Sequence, residues 1–64
     1  MEMQAIESSF ISELGYDEST KELVVVMGKP YTYKNVPKQT FERFMQAESA
    51  GKFFNQVIKF GYSL

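Results

Sequence analysis

Residues 23–33 read LVVVMGKPYTY, and the way this stretch folds back on itself decides the architecture. Leu23 to Met27 is a short, β-branched run, the strongest strand signal in the chain. Gly28-Lys29 reads as a two-residue loop with glycine first, which suits a type II′ turn. Pro30 then opens a further strand, at an edge where its missing N–H is tolerated. In that register Val26 opposes Tyr31 and Val24 opposes Tyr33. Period-two alternation places Val24, Val26, Tyr31 and Tyr33 on one face, and Leu23, Val25 and Met27 on the other with Pro30, Thr32 and Lys34.

Toward the N-terminus, Phe10, Ser12, Leu14 and Tyr16 alternate with Ile11 and Glu13, as in a strand starting near Ser9. Asp17-Glu18-Ser19-Thr20 is a polar turn. With those four residues as the loop, Phe10 and Leu14 join Leu23, Val25 and Met27, and a one-residue slip would flip the first strand. Residues 1–8 read as a frayed lead-in. Toward the C-terminus the period changes after Val36. Pro37 is preset for a first helical turn, and Phe41, Phe44, Met45 and Glu48 recur at helical spacing. Ser49-Ala50-Gly51 interrupts the helix, and Ser49 can cap a second one. That helix carries Phe53, Phe54, Val57 and Ile58 as its apolar stripe, with Gly61 as its stop and Tyr62-Ser63-Leu64 as a tail. The expected fold is α+β: a three-stranded antiparallel meander followed by two short helices on one face, a single domain over residues 9–62.

The composition narrows the chemistry. The 64 residues make one domain, which at this size buries only about 60% of the surface its unfolded chain exposes. Such a core supplies roughly 3–5 kcal/mol. There is no cysteine to form a disulfide or thiolate site and no histidine, the commonest general base and metal ligand. Six Phe, four Tyr and four Met carry the core instead. The sequence therefore predicts neither catalysis, cofactor nor metal: Glu7, Glu13, Asp17 and Glu18 are the only acid–base candidates, and none has a convincing partner. No apolar run approaches the ~20 residues of a membrane span, and MEMQAIESS lacks the pattern of a signal peptide. The expected location is cytoplasmic. The net charge of −1 hides a split. All the acids except Glu42 and Glu48 precede residue 29, and all the bases except Lys21 follow residue 28. Either the two halves pair on folding, or the chain presents a basic face to a polyanion.

Ser8-Ser9 with Ile11, Gly15-Tyr16-Asp17, Leu23 with Val25, Tyr31-Thr32-Tyr33, Val36-Pro37, Ala47 with Ser49 and Gly51, Phe54-Asn55, Ile58 and Tyr62 together resemble the KTSC domain. That family is named for its occurrence at the C-terminus of some lysyl-tRNA synthetases and also occurs as small free-standing bacterial and phage proteins. The resemblance spans about Ser8 to Tyr62 and implies a small module for which RNA binding has been suggested. Two features depart from the pattern. The turn at Gly28-Lys29 is about two residues shorter, and positions 24 and 26, often polar in the family, are both Val.

The expected function is a non-catalytic binding module. In one version it binds RNA or other single-stranded nucleic acid. Tyr31 and Tyr33 stack bases, while Lys29, Lys34, Lys38 and Lys52 meet phosphates. In another, Val24, Val26, Tyr31 and Tyr33 form a seam with a second copy, making a homo-oligomer, or a docking face for a host protein. In a third, Arg43, Asn55 and the aromatics sequester a nucleotide between subunits. Lys52 in the first turn after Ser49 could also help hold a phosphate.

Overall fold

The structure, a computed structural model, describes residues 2–8 and 10–62. Ser9, expected to begin the first strand, and Ser63 and Leu64 of the expected tail lie outside the described residues. Four strands form one antiparallel sheet in sequence order: β1 (Met3–Ala5), β2 (Glu13–Asp17), β3 (Glu22–Met27) and β4 (Lys29–Tyr33). Helix α1 (Lys38–Gln46) follows. A second helical stretch runs as α2 (Ala50–Phe53), a π-helical turn (Phe54–Ile58) and α3 (Lys59–Gly61). The fold is α+β, an antiparallel sheet followed by helices packed on one face.

The sheet has one strand more than the sequence suggested. Met3, Gln4 and Ala5 pair with Gly15, Leu14 and Glu13, so part of the expected lead-in is an edge strand. Met-Gln-Ala carries no β-branched residue, and three residues have no readable period. This strand exists because β2 offers it an unpaired edge.

The decisive hairpin turns one residue more tightly than expected. Met27 pairs with Lys29 across Gly28 alone, whose φ of +77° is open to glycine without a Cβ penalty. The register therefore sets Val25 opposite Tyr31 and Leu23 opposite Tyr33. Both tyrosines lie on the face of Leu23 and Val25, beneath the helices. Val24 and Val26 pair with Thr32 and Pro30 on the opposite, uncovered face. The expected four-residue face of two valines and two tyrosines does not form, because a one-residue change in register exchanges the faces of a strand.

The β2–β3 connection shifts without changing parity. Asp17 pairs with Glu22, so the loop is Glu18 to Lys21 rather than Asp17 to Thr20, and Leu14 still faces inward opposite Val25. The backbone N–H of Ser19 donates to the Asp17 carboxylate at 3.0 Å, and Lys21 closes the loop at φ +58°. Upstream, Ser12 donates its N–H to the carbonyl of Val26, which already pairs with Glu13. Two residues opposite one make a β-bulge. The bulge turns Ile11 into the core, 1% exposed, and leaves Phe10 at 42%, reversing the expected order of these two residues.

The core is one cluster: Leu14, Leu23, Val25 and Tyr33 from the sheet, Ile11 and Val36 from flanking segments, and Phe44, Phe54 and Ile58 from the helices. Ser49 caps α2, its hydroxyl accepting from the Lys52 N–H at 3.3 Å, as its position in the sequence implied. Gly51 lies within this helix, not in the break, and is buried. An ideal Cβ there would sit 2.7 Å from the Phe10 ring, so glycine lets Phe10 lie against the helix.

The candidate docking groove

One residue pins the corner where sheet becomes helix. Val36, fully buried, donates its N–H to the Lys21 carbonyl at 2.9 Å and accepts from the Tyr16 hydroxyl at 2.5 Å. Pro37 then stands as the N-cap of α1 instead of its first helical residue. This double anchorage sets α1 alongside β2 and aligns two side chains at four-residue spacing, Phe41 and Met45, with Tyr16. The rings of Tyr16 and Phe41 stack at 5.1 Å, only 13° from parallel.

These three side chains are the floor of an open groove of about 530 Å³ between the β1–β2 edge and α1. Its rim carries Glu2 and Gln4 from the N-terminal strand region, Asp17 and Glu18 from the end of β2 and its turn, and Lys38 and Glu42 from α1. Gln4 donates its side-chain amide to Glu2 at 3.1 Å. Lys38 forms an ion pair with Glu18. The Ser19 hydroxyl donates to Asp17 at 2.6 Å.

Three groups on this groove titrate away from their ordinary values. Burial, with Glu18 nearby, pushes the Tyr16 phenol up. The hydrogen bonds from Ser19 hold the Asp17 carboxyl down. The hydrogen bond to Glu18 raises the Lys38 ammonium. Asp17 and Lys38 are therefore firmly charged near neutrality, while Tyr16 stays a neutral donor.

The side chains expected to bind a ligand are scattered. Tyr33 is 7% exposed, its ring edge-on to Phe54 at 5.9 Å, and burial raises its phenol. Tyr31 is half-buried against the core. With Tyr33 buried, the two do not present a pair of free rings as a stacking platform requires. Lys29 and Lys34 flank the two ends of β4, about 17 Å of extended chain apart. Lys38 is engaged by Glu18. Arg43 is an exposed residue of α1. Lys52 and Asn55 are exposed on a separate shallow depression with Ser49 and Phe10, and Glu7 and Glu48 share it. Val24 and Val26 stay half-buried on the uncovered sheet face, without the tyrosines.

Sequence reasoning read Phe41 and Met45 only as helically spaced apolar residues and Asp17-Glu18 as a turn, and so missed the groove. One signal was available. Tyr16 shares the inward face with Leu14, and Lys38/Glu42 flank Phe41/Met45 on α1, so charged and apolar pairs at four-residue spacing border a tyrosine.

Fold and groove together define a small α+β domain with a one-sided sheet and an acidic, aromatic-floored cleft. The family model of the KTSC domain matches residues 7–62, and the chain belongs to the KTSC domain family. It is 39% identical over 59 residues to a protein of Tsukamurella paurometabola, covering 89% of this chain and 88% of that one. It is 38% identical over 61 residues to a protein of Stutzerimonas stutzeri, covering 92% and 86%. The crystal structure of a KTSC domain protein from Yersinia pestis superposes with a TM-score of 0.90 at 34% identity, covering 97% of this chain and 90% of that one. No helix among the described residues is long and apolar enough to cross a membrane.

Proposed function

We propose that this domain is a non-catalytic binding module that docks a protein partner in the groove between β2 and α1. The observation that carries the reading is convergence. A stacked aromatic pair, a methionine and three groups with displaced titration line one concavity. A concave apolar floor with a few aimed polar groups is the usual form of a binding site. The groove's acidic rim favours a protein partner over nucleic acid or a nucleotide, whose phosphates it would repel. The cations that would serve RNA lie apart from one another, and Tyr33 is buried. Self-association keeps one candidate surface, the uncovered sheet face around Val24 and Val26.

The test is a nuclear magnetic resonance titration of the whole chain, once with a set of small amphipathic organic fragments and once with a short single-stranded RNA at low salt. The expected result is fragment-induced shifts at Tyr16, Phe41 and Met45 with a flat RNA titration. Fragments that leave the groove signals still would remove the reading. RNA-induced shifts around Lys29, Tyr31 and Lys34 would move the function to nucleic-acid binding.

A further inference from the structure

The rim chemistry narrows what the groove receives. Of its charged groups among the described residues, Glu2, Asp17, Glu18 and Glu42 are anionic and Lys38 is cationic. Among these, four carboxylates face one ammonium, which is ion-paired with Glu18, so the rim carries an excess of negative charge. Beneath them lie the Tyr16 and Phe41 rings, whose faces attract positive charge. The chain's own Lys38 displays the preference, since its ammonium is held at the rim by a carboxylate. A lysine ammonium is a compact, strongly hydrated point charge. An arginine guanidinium is planar, stacks on aromatic rings and binds a carboxylate through two parallel hydrogen bonds. An aromatic pair under a carboxylate rim fits the second better.

We propose that the groove receives an arginine side chain from a basic segment of a partner protein, with the guanidinium over the Tyr16–Phe41 floor and its N–H groups toward Glu42, Asp17 and Glu2. This rests on the docking role proposed above and names its ligand chemistry. The occupant lies between β2 and α1, where Lys38 competes with it for Glu18 as a further carboxylate.

The probe is an acetylated, amidated tetrapeptide Gly-Arg-Arg-Gly, titrated into the whole chain beside its Lys-Lys and Glu-Glu analogues. Shifts should centre on Tyr16, Asp17, Phe41, Glu42 and Met45. Affinity should fall about tenfold from low to moderate salt, as for exposed charges. The lysine peptide should bind about threefold or more weakly, and the glutamate peptide not at all. Glu2→Gln combined with Glu42→Gln, both exposed side chains, should weaken the arginine peptide about tenfold. Lys38→Gln should strengthen it about two- to fivefold by releasing Glu18, a gain that damaged folding would not produce. Three results overturn the inference: no shifts in the groove, equal binding of the glutamate peptide, or a Lys38→Gln chain that binds no better. Fragments that bind the groove while the arginine peptide does not would sink this inference and leave the docking role standing. Failure of both would remove both.

Discussion

At the scale of single residues, the fold depends on a few side chains that each hold two elements. Tyr16 stacks on Phe41 and donates to the Val36 carbonyl, joining β2, α1 and the corner between sheet and helix. Tyr16→Phe keeps the stack and leaves a buried carbonyl without its donor. It should cost about 1–2 kcal/mol, read as a lower urea midpoint with an unchanged slope. The same substitution tests a pH effect. The phenols of Tyr16 and Tyr33 ionise above their ordinary value of 10.0. Above pH 10 the unfolded chain therefore loses protons first. The stability from these shifts is complete below pH 10 and declines as pH rises through the folded values. In Tyr16→Phe the alkaline decline of the urea midpoint should be shallower, and a decline as steep as in the parent chain would count against the Tyr16 shift. Phe44 is the largest fully buried side chain, stacked on Phe53 at 5.1 Å. Phe44→Ala should cost about 3–5 kcal/mol. That equals the roughly 3–5 kcal/mol a core of this size supplies. The variant should lose its cooperative thermal transition.

At the scale of elements, turns and bulges set which side chains meet. Gly28 reverses the chain alone between paired strands, at a φ that side chains with a Cβ avoid. Gly28→Ala should cost about 1–2 kcal/mol. Gly61 ends α3 at an ordinary φ with open space around its Cβ position. Gly61→Ala should be neutral or stabilise by up to about 1 kcal/mol. Thermal unfolding of the two variants side by side checks this. Equal effects would mean that the β3–β4 reversal does not depend on a positive φ. Much of the element plan was legible in advance: the β-branched run of β3, the helical spacing of Phe41, Phe44 and Met45, and Ser49 as a cap. Strand β1 and the bulge at Ser12 were not, because neither has a local pattern. A three-residue edge strand forms on a partner's free edge, and a bulge is defined only by the strand opposite it.

At the scale of the whole molecule, part of the charge split along the chain forms the acidic rim of the groove. Glu2, Asp17 and Glu18 of the N-terminal half line the groove with Glu42 and Lys38, while Lys52 lies on a separate depression with Glu7 and Glu48. The ion pair between Glu18 and Lys38 joins the two halves at one exposed point. The uncovered face of the sheet spans four strands of three to six residues, roughly 300–400 Å². A stable interface needs about 800 Å² from each partner. Sedimentation at micromolar concentration should therefore give the mass of one chain, unchanged in Val26→Glu. A larger particle that Val26→Glu reduces to one chain would restore self-association through this face.

The sequence alone determined the α+β class, the order of sheet before helices, the family resemblance and most of the core, because these rest on local periodicity and composition. Tertiary structure alone decided which face each tyrosine takes, that residues 3–5 become a strand, and that Tyr16, Phe41 and Met45 share one groove. The physical reason is parity. Side chains alternate every residue along a strand, so a one-residue difference at Gly28 exchanges the faces of a whole strand. Only the pairing of the folded chain fixes that residue.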